Sequence, residues 1–271
     1  MVLRLAFIAL VVVPFALVGL PFQLVLLRFA PRAWGVLPGL FFRLLAFALG
    51  LKVTVHGRPA TDVPVLLVAN HISWLDIVAI ASVIPVRFVA KSDVANWALV
   101  GFFARLQKTI FVDRTRRTDT GRTARAMGDA LAAGDPVLLF AEGTSGIGTH
   151  VLPFKSALIG AAEKAMGDAG SQEVVIQPMA IAYTAISGLP LSRHERPRIA
   201  WVGNMGLGDN LWHILASGPK SVTIAFCSPM PANGARKTVS SRAEHQVRAM
   251  LVALNRGQAL PSEGVYCKGA Q

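Results

Sequence analysis

The chain has 271 residues, 27 Lys and Arg against 15 Asp and Glu, a formal net charge of +12, and 53% hydrophobic against only 15% charged residues. That balance excludes a disordered chain, which needs low hydrophobicity and high charge, and argues against a soluble nucleic-acid binder, whose basic charge comes with a polar surface. It fits a membrane surface carrying anionic lipid, while two cysteines, Cys227 and Cys267, are too few for a disulfide framework or a CxxC zinc pair.

The first sixty residues differ from the rest. Leu5 to Leu27 is an uncharged run of 23 residues, preceded by Arg4 and followed by Arg28 and Arg32. A second apolar stretch, Ala33 to Leu51, is interrupted by Arg43, and the first acidic residue of the chain is Asp62. The first run exceeds the apolar core of a cleaved signal peptide, about 7–15 residues. Two readings remain. One is a single spanning helix, for which about 20 residues suffice but which Pro14 and Pro21 would bend. The other is a two-helix hairpin entering one leaflet, with Arg and Lys reaching out to phosphates. Both put the C-terminal body on the cytoplasmic face of the inner membrane.

Beyond residue 51, strands and helices alternate. Strands are expected at Val53–His56, Val65–Ala69, Arg87–Ala90, Thr109–Val112, Val137–Phe140, Val174–Ala182, Ile199–Val202 and Val222–Phe226. Helices are expected at Leu75–Ser82, Asp119–Ala133, Phe154–Met166 and Ser240–Asn255. Alternation of this kind implies an α/β fold. Strands that are apolar without alternation imply a mixed, largely parallel sheet covered by helices on both faces. The expected organisation is a membrane-associated helical segment, 1–51, an α/β domain, 52–256, and a C-terminal tail, 257–271.

Ligands of such sheets gather at the carboxyl ends of the strands. After Val65–Ala69 comes Asn70-His71-Ile72-Ser73-Trp74-Leu75-Asp76. A His held by a carboxylate is a positioned general base. On a regular helix, however, residues five apart point about 140° away from each other, so His71 and Asp76 meet only if the chain turns between them. The alternative is a plain helix start capped by Asn70 or Ser73. From Lys91 to Arg125 the chain carries eight basic residues against Asp93, Asp113 and Asp119, a density that suits an anion such as a lipid head group. After Val137–Phe140 comes Ala141-Glu142-Gly143-Thr144-Ser145-Gly146-Ile147-Gly148. It lacks the lysine of a nucleotide-binding P-loop and the pattern of a serine-nucleophile elbow. The other histidines have no metal-ligand spacing, so no metal is expected.

In this order the loops resemble the lysophosphatidic acid acyltransferase family, the PlsC-type glycerolipid acyltransferases. The resemblance rests on Asn70-His71…Asp76, on Phe111-Val112-Asp113-Arg114, on Phe140-Ala141-Glu142-Gly143-Thr144 with Phe154-Lys155, and on Val175-Ile176-Gln177-Pro178-Met179-Ala180. It implies a membrane-associated O-acyltransferase that uses acyl-CoA or acyl carrier protein as co-substrate, without cofactor or metal. His71 would deprotonate a lysolipid hydroxyl as it attacks the thioester, and Asp76 would hold the imidazole. Glu142, Gly143 and Thr144 would shape the acceptor and oxyanion region, and Lys91 and Arg114 would bind head-group anions. The implied acceptor is 1-acyl-sn-glycerol-3-phosphate, giving phosphatidic acid.

Two positions depart from the pattern. Ala141 replaces a proline. Ser145 stands where the family often has an arginine, a residue that pairs bidentately with phosphate. A small polar residue here is similar to the bacterial lyso-ornithine lipid acyltransferases, whose acceptor has no phosphate. From another class, a non-catalytic membrane-binding protein would account for the basic charge and the apolar N-terminus, but not for His71, Asp76 and Glu142 at successive strand ends.

Overall fold

The computed structural model describes residues 1–113, 119–157, 159–160, 174–203, 205–232 and 235–260. Helices α1 (Val2–Phe7) and α2 (Val13–Phe29) are joined by a π-helical stretch, Ile8–Val12, into one rod of 28 residues. The π stretch has a cause in the sequence. The ring of Pro14 would collide with the carbonyl four residues earlier, at Leu10, and a locally widened turn accommodates it. A 3₁₀ turn at Pro31–Ala33 reverses the chain into α3 (Val36–Leu49), which returns alongside the rod, with the rings of Phe7 and Phe47 5.1 Å apart. Helix α3 stops at Gly50, whose φ of 71° is a left-handed C-cap. Leu3, Leu10, Leu17, Val18 and Phe22 of the rod point away from the rest of the protein. The rod Val2–Phe29 and the segment Pro31–Leu49 are each long and apolar enough to cross a membrane.

The body follows. Strands β1 (Leu51–His56) and β2 (Val65–Ala69) precede the short helix α4 (Leu75–Ala81), and β3 (Arg87–Lys91) leads through a 3₁₀ turn to α5 (Ala98–Leu106). Then come β4 (Ile110–Val112), α6 (Asp119–Ala132), β5 (Val137–Phe140), the long β6 (Val175–Ile186) and β7 (Leu189–Pro190). The chain ends with α7 (Arg196–Ile199), α8 (Leu207–Ala216), β8 (Lys220–Phe226), β9 (Met230–Pro231) and α9 (Arg236–Asn255). The sheet order is β1-β8-β6-β2-β5-β3-β4, with β7 and β9 pairing on β6. Along this path every pair is parallel except β8 with β6. The sheet is therefore mixed and largely parallel.

Its central strands are buried on both faces, as their unbroken apolar runs require. Leu67, Ala69, Leu138 and Ile181 face a core shared with α3 and α4. Leu66, Val68, Leu139 and Ala182 face a second core under α6 and α9. Leu66, Leu67, Leu138 and Leu139 are fully buried, each contributing about 1.5–3 kcal/mol by area.

Several elements differ from the sequence expectation. Ile199–Val202 is not a strand. Pro197 sits in the first turn of α7, where its fixed φ favours a helical start, and the chain from Ala200 to Val202 is irregular. Strand β6 runs on to Ile186 because β8 and β7 pair with its far half. Helices α5 and α8 were not expected. Of the helix expected over Phe154–Met166, residues 158 and 161–166 lie outside the described residues, as do 261–271 of the tail.

Candidate active site

Strand β2 ends at Ala69, in the centre of the sheet, and the next seven residues build the site. The chain does turn after His71. Residues 71–73 are irregular, and the backbone N–H of Asp76 donates to the carbonyl of Ser73, 2.9 Å, as α4 begins. The turn folds the Asp76 carboxylate back over the loop. Its Oδ2 accepts the backbone N–H of Ile72 (2.6 Å) and of Ser73 (3.0 Å) and lies 2.8 Å from His71 Nδ1. Its Oδ1 accepts the hydroxyl of Tyr183 at 2.8 Å. Four donors thus converge on a carboxylate with no exposed surface, a partnership a buried charge requires. Since Oδ2 of the carboxylate only accepts, the network assigns the proton to Nδ1 and leaves the lone pair of His71 on Nε2.

The imidazole lies flat on the ring of Phe140, centroids 4.0 Å apart and 18° from parallel. Its side chain keeps 16% exposure against none for Asp76. The His71 carbonyl accepts the N–H of Gly146 at 2.8 Å, and the Ile72 carbonyl accepts that of Trp201 at 3.0 Å. Gly148 approaches so closely that a Cβ there would lie 2.8 Å from Ile72 Cδ1. The side chain of Asn70 is spent on both backbone groups of Ile181, 3.0 and 2.9 Å, which locks the end of β2 to β6.

Glu142 follows β5, the neighbour of β2. It is buried, with Oε2 accepting the N–H of His71 at 3.2 Å and Oε1 that of Leu152 at 2.9 Å. Burial pushes its pKa up to about 7, against the opposing pull of those two N–H groups. The carboxylate therefore braces the His71 loop from inside. Gly143, with φ 70°, makes the turn that follows, and Thr144 is exposed at its tip. Ser145 donates its hydroxyl to the carbonyl of Trp201. Lys91 stands at the carboxyl end of β3, exposed and paired with Asp93. Arg114 lies outside the described residues. The structure thus brings His71, Asp76 and Glu142 into one hydrogen-bonded unit and leaves Lys91 at the rim.

Tyr183, Phe140 and Trp201 were not singled out from the sequence as site residues. Tyr183 carried a signal, as an aromatic with a polar tip inside the apolar run of β6, on the same face as Met179 and Ile181. Trp201 carried none, because its segment reads as a strand.

The family model described as acyltransferase matches residues 52–182. The lyso-ornithine lipid O-acyltransferase of Brucella abortus is 39% identical over 96% of this chain and 98% of its own length. The 1-acyl-sn-glycerol-3-phosphate acyltransferase of Neisseria gonorrhoeae is 32% identical over 77% of each chain. In fold, the chain is similar to the crystal structure of the 1-acyl-sn-glycerophosphate acyltransferase PlsC of Thermotoga maritima, with a TM-score of 0.65, 22% identity and 93% of both chains covered.

Proposed function

The chain belongs to the acyltransferase family, and from that premise we propose that it moves a fatty acyl group from a thioester to the free hydroxyl of lyso-ornithine lipid. The observation that carries the acceptor is the bond from the Ser145 hydroxyl to the Trp201 carbonyl. Ser145 stands where phosphate-accepting relatives often carry arginine, and here its only proton donor is spent inside the protein. The relative from Brucella abortus, similar along its whole length, bears the name of that activity. The second reading, 1-acyl-sn-glycerol-3-phosphate as acceptor, is favoured by the relative from Neisseria gonorrhoeae.

The chemistry follows from the geometry of His71. Its Nε2 takes the proton of the acceptor hydroxyl while that oxygen attacks the thioester carbon. The tetrahedral intermediate then expels the thiolate, which recovers the proton from the imidazolium. The ester C–O bond forms, the C–S bond breaks, and no acyl-enzyme is required. Asp76 stabilises the transient imidazolium and keeps the ring in register, so that His71 acts as a positioned general base, a role worth about 10²–10⁴-fold. Acyl-CoA or acyl carrier protein is the donor, and the apolar hairpin holds the enzyme to the cytoplasmic face of the inner membrane. Lys91 and Arg114 meet the anions of carrier or acceptor.

The test is an acceptor panel with one acyl-CoA and purified full-length enzyme. Lyso-ornithine lipid should be acylated at least tenfold faster than lysophosphatidic acid. The reverse order would establish the second reading, and no transfer to any lysolipid would overturn both.

A further inference from the structure

A cleft of about 470 Å³ lies between the hairpin and the amino-terminal ends of β3 and β5, the end of the sheet opposite to His71. Its volume is that of an ordinary small-molecule site, roughly 300–1,000 Å³. Arg32 and Arg43 both line it. Among the described residues Arg43 donates only Nε, to the Ser82 carbonyl at 3.0 Å, which leaves the rest of its five-donor guanidinium unspent there. Arg32 is exposed and has no hydrogen bond or ion pair among the described residues. The one acid on the wall, Asp135, is already neutralised. Its Oδ1 accepts Trp34 Nε1–H at 2.8 Å, its Oδ2 pairs with Arg87, and Lys108 stands 4.0 Å away. The cleft therefore presents the guanidinium of Arg32 and the two terminal NH2 groups of Arg43, and among the described lining residues no carboxylate is left to pair with them. At its edge α3 exposes Val36 and Leu40, an apolar surface continuous with the membrane-facing hairpin.

We infer that this cleft is a socket for one anionic phospholipid of the surrounding membrane, its phosphodiester on Arg32 and Arg43 and its acyl chain along Val36 and Leu40. Guanidinium groups match phosphate oxygens bidentately, and the apolar lip meets the part of the ligand that a free anion lacks. The lipid would bridge α3 to the loops after α4 and before β5, joining the hairpin to the body. The site is separate from the acceptor site, so a lipid seated there does not compete with lysolipid.

The test uses the full-length protein in phosphatidylcholine nanodiscs, titrated with chain-brominated phosphatidylglycerol while tryptophan quenching is followed, since Trp34 lines the cleft. Wild type should bind phosphatidylglycerol saturably and about tenfold or more above brominated phosphatidylcholine, given what each basic residue contributes at an anionic surface. Arg32→Gln/Arg43→Gln should lose that preference, and Arg28→Gln/Lys52→Gln, which removes the same charge outside the cleft, should keep it. Arg32→Gln alone breaks no hydrogen bond or ion pair among the described residues and should lose part of the preference, so a folding defect in the double variant leaves the question answerable. Equal losses in both double variants would show diffuse attraction only and overturn the socket. Competition by inorganic phosphate as effective as by the lipid would identify a free-anion site and overturn it equally.

Discussion

The phenol of Tyr183 and the carboxylate of Asp76 meet at 2.8 Å in an interior that neither shares with water. Tyr183 reaches this position because β6 continues beyond the carboxyl end of β2, where Ala69 pairs with Met179. Burial and the charge of Asp76 raise the Tyr183 pKa well above its ordinary value, so the hydroxyl remains a donor. Tyr183→Phe removes the one donor to Asp76 Oδ1 among the described residues. A hydrogen bond to a charged group is worth about 1.5–3 kcal/mol, and kcat should fall roughly tenfold. Fixed by one donor fewer, the carboxylate turns more freely and the imidazole loses its register, so kcat should fall with KM little changed. An unchanged kcat would mean that Tyr183 serves packing alone.

His71→Ala should reduce transfer by about 10²–10⁴-fold with membrane attachment and circular dichroism unchanged. Asp76→Asn should cost less. Three N–H groups point at Oδ2, so the amide oxygen must occupy that side and the NH₂ must face Tyr183, whose hydroxyl oxygen can accept. Geometry and tautomer then survive while the charge is lost, and turnover should drop about ten- to a hundredfold, the worth of a hydrogen bond to a charged group. If Asp76→Asn falls as far as His71→Ala, the backbone donors do not set the side-chain orientation.

Ser145→Arg should shift acceptor preference toward lysophosphatidic acid by roughly ten- to a hundredfold, the worth of charged hydrogen bonds to a phosphate monoester. Turnover of lyso-ornithine lipid should fall, because the variant loses the bond to the Trp201 carbonyl and places an unpaired cation beside the site. Initial rates on both acceptors, from the same preparation, measure the ratio.

Stability should rise between pH 7 and 9. Lys220 is buried without a carboxylate, donating to the carbonyls of Ile214 (2.8 Å), Gly218 (3.0 Å) and Leu49 (3.4 Å). Burial, and secondarily Arg4, push its pKa down to about 7. Above pH 7 the unfolded chain, with its ordinary lysine near 10.5, binds a proton that the folded state does not, so raising the pH favours folding. Near pH 9 the Cys227 thiol begins to oppose this. Burial pushes it up to about 12, and only the unfolded chain ionises it there. Lys220→Met should flatten the rise in Tm between pH 7 and 9, measured in detergent at matched ionic strength.

The alternation of apolar runs with helical patterns made the parallel core readable, because strands buried on both faces carry their burial in their own residues. His71 and Asp76 were readable as a pair only on the condition of a turn. The donors that enforce the turn, the N–H groups of Ile72 and Ser73, belong to the backbone and leave no mark in residue type. Tyr183 and Trp201 come to the site through strand pairing and a carbonyl contact at sequence separations of 107 and 56, distances over which local pattern says nothing. The irregular Ile199–Val202 reads as a strand because its side chains are apolar, whereas Pro197 and the contacts of Trp201 decide its path.

The hairpin is fastened at several points along its length. At its start Arg4 donates to the carbonyls of Leu215 and Ser217, at 3.2 and 2.6 Å. Farther along, Gln23 donates to those of Trp34 and Leu106, at 2.9 and 3.3 Å, and Trp34 binds Asp135. A leash would let the body wander over the membrane, whereas this bracing fixes the distance from the apolar helices to Nε2 of His71. Under the proposed reaction that bracing would make the enzyme a depth gauge. A hydroxyl carried at the wrong height on its lipid would not meet the base, whatever its chemistry, so position along the acceptor would be selected before any contact with its head group.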